Sequence, residues 1–423
     1  MTENNGNFLG DLPRFLNQNT IFCYLLKWTI ICILVGAAAG TLSALFLSLL
    51  NLATDFRNSH PQMVYLLPLA GFFIGFIYYH KGKGVERGNN LVFDTIHNPK
   101  DVIPFKMTPL VLFGTIITHL FGGSAGREGT ALQMAAATAD QLHEPFKLSP
   151  SDRKILLIAG LSAGFASVFG TPWAGAVFGI EVLLMGKIPQ KSIFPAIAAA
   201  FIGAYVTGLW GVGHTHYHIN LVPRISMMGV LYSMVAGLAF SIAAVSFVRI
   251  TDLLSSIFKK IKYPAIRPVI GGFIVLGMVL LLGTHKYIGL GIPVIVVSFQ
   301  QASQPADFAL KILLTAITLA AGFKGGEVTP LFFIGATLGS ALSVFLPLPV
   351  ALLAGMGFVA VFAGAAKTPI ACCIMAFELF GISCGWYVAI ACVIAFLASG
   401  HHSIYNAPEN KSPKHLLFGR LGI

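Results

Sequence analysis

Apolar runs separated by short polar connections make up nearly the whole chain, from Ile21 to Leu397. Runs of about 20 apolar residues predict membrane-spanning helices. Several are too short or too broken for that. Gly122, Gly123, Gly126 and Gly129 crowd one run, and Gly322, Gly325 and Gly326 crowd another. Thr171-Pro172 and Thr368-Pro369 interrupt two more. Proline just inside a helix start is well tolerated, so each break reads as the restart of a discontinuous helix.

The breaks recur. Shifting Ala159–Glu181 by 197 positions lays it on Met356–Glu378 without a gap, with eight identities in 23. Gly160, Ala163, Phe165, Ala166, Thr171, Pro172, Ala174 and Glu181 meet Gly357, Ala360, Phe362, Ala363, Thr368, Pro369, Ala371 and Glu378. The same shift brings two carboxylate motifs into near register: Gly126-Arg127-Glu128-Gly129-Thr130 and Gly325-Gly326-Glu327-Val328-Thr329-Pro330. A charge near the middle of a membrane costs roughly 3 kcal/mol on insertion scales, so two retained carboxylates point to an ion or proton path. Helix restarts expose N–H groups whose positive end attracts anions. In lipid they survive only in buried or cavity-lining places. Duplicated broken helices place a transport site at the repeat interface. An anion path is the reading these residues support by themselves.

Composition supports the membrane assignment. Hydrophobic residues make up 56% and charged residues 10%, against about 25% charged in soluble domains. The fold expected is an all-α polytopic membrane protein. Lys and Arg number 27 against 16 acids and gather in connections: Lys81, Lys83 and Arg87; Lys259, Lys260, Lys262 and Arg267; Lys411, Lys414 and Arg420. The positive-inside rule reads these as cytoplasmic, the C-terminus included. No basic stripe alternates with polar helix faces, which argues against a nucleic-acid partner. Cys23, Cys32, Cys372, Cys373, Cys384 and Cys392 sit in or beside apolar runs without a CxxC pair, as buried thiols do. Residues 1–21 read as a cytoplasmic lead without a signal peptide, and 409–423 as a short cytoplasmic tail.

The two carboxylate motifs and the duplication resemble the CLC family of chloride channels and proton-coupled anion exchangers, over roughly residues 22 to 408. The resemblance implies two inverted repeats with broken, re-entrant helices, about 22–210 and 220–406. It also implies a homodimer with one pore per subunit, in a bacterial inner membrane. Chloride-handling members end the first motif in Pro, where this chain has Thr130, and lack the carboxylate of Glu327. They also carry a loop serine at the central anion, whereas here the region reads Gly84-Val85-Glu86-Arg87-Gly88-Asn89-Asn90-Leu91. All three departures are similar to the fluoride-exporting branch. That resemblance implies fluoride export in exchange for protons, with a chloride channel or chloride/proton antiporter as the alternative and no cofactor.

Residue roles follow from the resemblance. Asn89, with Asn90 as fallback, takes the serine's place and offers two N–H donors to a strongly hydrated anion, where a serine offers one. A turn or helix-cap asparagine is the structural alternative. Glu128 resembles the gating glutamate that competes with the anion for an electropositive site; the alternative is a structural pair with Arg127. Glu327 and Thr329 correspond to the partners that receive the Glu128 side chain inside, with a proton shared between carboxyls; for Glu327 the alternative is a helix cap. Tyr405 matches the pore tyrosine, or serves as an interfacial anchor. Gly126, Arg127, Gly129 and Val328 complete the anion-binding helix starts. Phe332 and Phe333 either turn ring edges toward the anion or simply pack.

Chloride exchangers of bacteria often carry an inner proton glutamate at the position of Val182, so here Glu128 is expected to carry protons inward itself. The duplicated Glu181 and Glu378 suggest bonds between neighbouring helix ends. His214, His216 and His218 alternate like metal ligands but lie without acid or thiol in what reads as an exposed loop. An intramembrane enzyme using His119 with Glu128 or Glu327 is the minor reading, since no GxSxG, HExxH or phosphate-loop pattern occurs.

Overall fold

The computed structural model describes residues 18–99, 101–183 and 190–405. Residues 1–17 of the expected lead, the 409–423 tail and the basic cluster Lys411, Lys414 and Arg420 lie outside the described residues. Helices dominate, and among the described residues no strand occurs. One antiparallel bridge, Gly126 with Gly326, is the exception to helix and turn.

Among the described residues the first eight α-helices are α1 (Gln18–Ser59), α2 (Leu67–Lys81), α3 (Asn89–His97), α4 (Met107–Leu120), α5 (Glu128–Asp140), α6 (Pro150–Phe169), α7 (Pro172–Glu181) and α8 (Ile193–Leu209). The next eight follow the same plan: α9 (Met227–Lys259), α10 (Arg267–Leu282), α11 (Ile292–Ser298), α12 (Asp307–Ala320), α13 (Val328–Leu342), α14 (Val350–Ala366), α15 (Pro369–Phe380) and α16 (Gly385–Ala398). Helix α1 already runs from Gln18. Five stretches, including α1, α8 and α9, are long and apolar enough to cross a membrane, while α4 and α13 to α15 have 10–17 residues. At 1.5 Å per residue these shorter helices fall well below a bilayer core of about 30 Å.

The register of the repeat is not uniform. The ends of α1 and α9, and the starts of α2 and α10, α4 and α12, and α5 and α13, lie 200 apart. Helix α6 has 20 residues and α14 has 17, and past them the offset drops to 197. Gly170 and Lys367 then close these two helices in the same left-handed conformation. In the 200 register Glu327 takes the place of Arg127, and Val328 that of Glu128. The two glutamates are therefore neighbours in space but not repeat equivalents, a distinction the 197 shift conceals.

Reciprocal hydrogen bonds join the halves. Gly126 N–H donates to Gly326 O at 2.6 Å, and Gly326 N–H to Gly126 O at 2.8 Å. Ser124 N–H donates to Thr318 Oγ1 and Lys324 N–H to Thr118 Oγ1, both at 3.2 Å. At the far helix ends, Glu181 accepts from Ile370 and Ala371 N–H at 2.9 and 2.7 Å, and Glu378 from Trp173 and Ala174 N–H at 3.0 and 2.8 Å. Each carboxylate thus satisfies free N–H groups at the start of the opposite repeat's helix.

Candidate functional site

Helices α5 and α13 begin inside the protein, side by side at the glycine bridge. Bare backbone is required there. A Cβ on Gly326 would lie 2.6 Å from Gly129 N, and one on Gly126 would lie 2.9 Å from Gly326 O and 2.8 Å from Glu128 Oε2. Both helix starts can therefore present N–H groups to one small volume.

Glu128 fills part of that volume. It is fully buried. Its Oε2 accepts from Thr329 N–H at 3.0 Å and Arg127 N–H at 3.1 Å, and its Oε1 accepts from the Thr329 hydroxyl. Arg127 Nε stands 3.6 Å from Oε1 and is buried without a hydrogen-bond partner. The carboxylate is held by two helix starts more than by its neighbouring guanidinium. Glu327 directly precedes α13, yet its side chain makes no capping bond to that helix. Its Oε2 is buried and unpartnered, and no hydrogen bond joins it to Glu128. The structure thus brings Glu128 and Thr329 together and leaves Glu327 beside them, unengaged.

Asn89 opens α3, and Gly88 before it adopts a positive φ of 55°. A Cβ on Gly129 would lie 2.8 Å from Asn89 Nδ2, which places the Asn89 amide against the first turn of α5. Asn89 Oδ1 is buried without a partner, as is the Tyr405 hydroxyl. The Tyr405 ring packs 4.8 Å from Phe93, one turn beyond Asn89, and 6.2 Å from Phe178. Asn89 and Tyr405 therefore face the same interior. Val328 is fully buried.

On the other side of the Thr329–Glu128 contact lies a cavity of about 20 Å³ lined by Arg127, Thr329, Phe332, Phe169, His214 and Tyr217, among others. Phe332 stacks on Phe358 at 3.9 Å and meets Phe362 edge-on at 5.6 Å. Phe333 points elsewhere, under the Lys311 ammonium, 5.1 Å from its ring centroid. The exposed-loop reading of the histidine segment holds for His216 and His218 only. Tyr217 is buried, and His214 sits over Gly170, where a Cβ would come within 2.4 Å of the ring. Alternating His residues in a polar connection gave no sign of this; only the folding of residues 210–226 back over the helix starts does. Among the described residues no three His, Cys, Asp or Glu side chains gather to hold a metal. His119 turns both ring nitrogens to backbone carbonyls, Thr115 O at 2.9 Å and Ala125 O at 3.0 Å, so it is no acid–base partner for either glutamate.

Residues 70–400 match the voltage-gated chloride channel family. The chain is 49% identical over 415 residues to a chloride/fluoride channel protein of Pseudomonas syringae pv. tomato, covering 96% of this chain and 92% of that protein. A crystal structure of a CLC-type fluoride/proton antiporter superposes with a TM-score of 0.88 at 33% identity, over 90% of this chain and 98% of that one. A slow cyanobacterial Cl⁻/H⁺ antiporter shares the fold, with a TM-score of 0.77 at 18% identity over 93% and 98% of the two chains.

Proposed function

The chain belongs to the voltage-gated chloride channel (CLC) family of integral membrane anion transporters and channels, and from that premise we propose that it exports fluoride in exchange for protons. One observation carries the reading. The Glu128 carboxylate occupies the N–H groups of both helix starts, while Asn89 Oδ1, the Tyr405 hydroxyl and Glu327 Oε2 stand buried and unpartnered behind it. Buried polar groups normally have partners. The free Tyr405 O–H and the Asn89 Nδ2 amide can donate to a small anion, while Glu327 Oε2 can accept from a protonated carboxyl swung in toward it.

The cycle follows from competition for one site. Protonation of Glu128 removes the charge that the Arg127 and Thr329 N–H groups hold, the side chain leaves, and an anion takes its place. Deprotonation reverses the exchange. Inside, Glu327 can share the proton, because two carboxyls in a dry site cannot both be charged cheaply. Fluoride is the proposed cargo because the Asn89 amide supplies two donors to a strongly hydrated ion. The relative from Pseudomonas syringae is named for both halides, and the superposed antiporter for fluoride; chloride is the competing cargo. The protein is proposed to work as a homodimer in a bacterial inner membrane, with the connections bearing Lys81 and Lys259 cytoplasmic.

The test is efflux from proteoliposomes loaded with fluoride or chloride, with external pH recorded. Fluoride leaving much faster than chloride, with protons moving inward, is the expected result. Equal or faster chloride efflux would sink the fluoride assignment, and fluoride flux without proton movement would make the protein a channel.

A further inference from the structure

The cavity beside Thr329 contains a side chain with no part in the cycle above. His214 lies in the connection between α8 and α9, at the end of α9 opposite the Lys259 cluster. Its ring rests on Gly170, with Cδ2 and Nε2 the ring atoms nearest to that residue, and the nearby Val168 backbone favours its protonated form. The other nitrogen, Nδ1, is buried and has no partner. A neutral imidazole with its hydrogen on Nε2 carries its lone pair on Nδ1. That lone pair belongs to a residue lining the cavity shared with Arg127 and Thr329, the two residues whose groups hold the Glu128 carboxylate.

We propose that His214 is the proton-transfer residue through which protons from the outer side reach Glu128. The inference rests on the proton-exchange reading. A cavity of about 20 Å³ exceeds the roughly 10–15 Å³ that one water requires, and Arg127, His214, Thr215, Tyr217 and Thr329 are the polar residues of its wall. In the step, Nδ1 accepts a proton from outer water and passes it through the cavity water to the Glu128 carboxylate. The imidazole returns to its neutral form, and Glu128 becomes neutral and free to leave its N–H groups.

The surroundings keep the charged ring short-lived. Burial, then the Arg127 guanidinium, lower the pKa of His214 to about 4, with His216 acting in the same direction and the Val168 backbone opposing. The groups facing it are Arg127 from the start of α5, His216 and Tyr217 from its own segment, and Glu128 behind Thr329; Val168, Gly170 and Phe332 bring no charge. A base that holds its proton briefly delivers it onward, whereas a high-affinity one would retain it.

The experiment compares wild type, His214→Ala and His214→Phe in proteoliposomes, following fluoride efflux and proton uptake at outer pH from about 5.5 to about 8, the range over which imidazole chemistry operates. Phe keeps the ring on Gly170 but has no nitrogen. Both variants are expected to assemble normally and to lose turnover by about tenfold to hundredfold, the scale of a lost acid–base group. Outside imidazole should restore His214→Ala, and the fluoride-to-proton ratio should stay that of wild type. Wild-type rates in either variant overturn the relay, as does a slow His214→Ala that imidazole leaves slow. Absence of proton uptake in wild type itself would instead overturn the exchange reading beneath it.

Discussion

At the scale of single residues, the two glutamates have different positions and different tests. Glu128 is the carboxylate on the helix starts, so Glu128→Gln should retain the hydrogen-bonding shape while losing the proton. Fluoride-driven proton uptake should vanish in that variant; uptake at the wild-type rate would place the gate elsewhere. Glu327 stands where a cap would stand, yet makes no capping bond. Loss of a true cap costs about 1 kcal/mol of stability and leaves transport alone. If Glu327 is the inner partner, Glu327→Gln should unfold like wild type while turnover falls by about tenfold or more, equivalent to some 1.4 kcal/mol on the barrier. Glu327→Ala should be slower still. Normal fluoride flux in both would leave Glu128 as the working carboxylate. Asn89 was chosen from its place after Gly88, with Asn90 as the fallback, and its amide lies against Gly129.

Between elements, the halves are fastened by exchanged bonds. Glu181 and Glu378 sit at or near the C-terminal ends of α7 and α15 and bind the N-terminal N–H groups of each other's helix. Such charge-assisted bonds contribute about 1.5–3 kcal/mol each at most. Glu181→Ala should therefore lower thermal stability by a few kcal/mol, with the ratio of fluoride to protons unchanged. A changed ratio with unaltered stability would make Glu181 a proton-path residue instead. Helix α13 is clamped more tightly still. A Cβ on Gly335 would fall 1.9 Å from Gly357 O, and one on Gly357 2.0 Å from Gly335 O, the close approach that small residues allow between membrane helices. Gly335→Ala must push α13 away from α14 and carry Glu327 and Thr329 with it. Lowered stability and slowed transport together are expected; a folded, fully active variant would show that the α13 start tolerates displacement.

At the scale of the whole molecule, two series of eight helices among the described residues meet at a pair of helix starts that hold the Glu128 carboxylate between them. The arrangement costs less in lipid because the starts of α5, α7, α13 and α15 each find partners in the other half. Each half alone would leave α5 or α13 opening onto nothing, so transport should require both halves together. Separately expressed residues 1–210 or 220–423 are expected to give no fluoride flux in liposomes, and co-expression to restore it. Flux from either half by itself would contradict a site shared between repeats.

Much of this was fixed by the order of residues. Apolar runs, paired glycine breaks and Thr-Pro restarts dictated a helical membrane protein with two interrupted halves, because backbone N–H groups cannot go unpaired in lipid. The two carboxylates beside glycine breaks marked the candidate site, since charges inside a membrane are costly and usually have a function. Tertiary structure alone decided the rest. A three-residue difference between α6 and α14 set the true register, so Glu327 stands opposite Arg127 and not Glu128. Thr329, 201 positions from Glu128 and expected from the resemblance, holds that carboxylate through its N–H as well as its hydroxyl. His214, written into a polar connection, folded back over Gly170 to face the cavity. Those relations depend on how far apart in space residues lie after packing, and local periodicity carries no record of that distance.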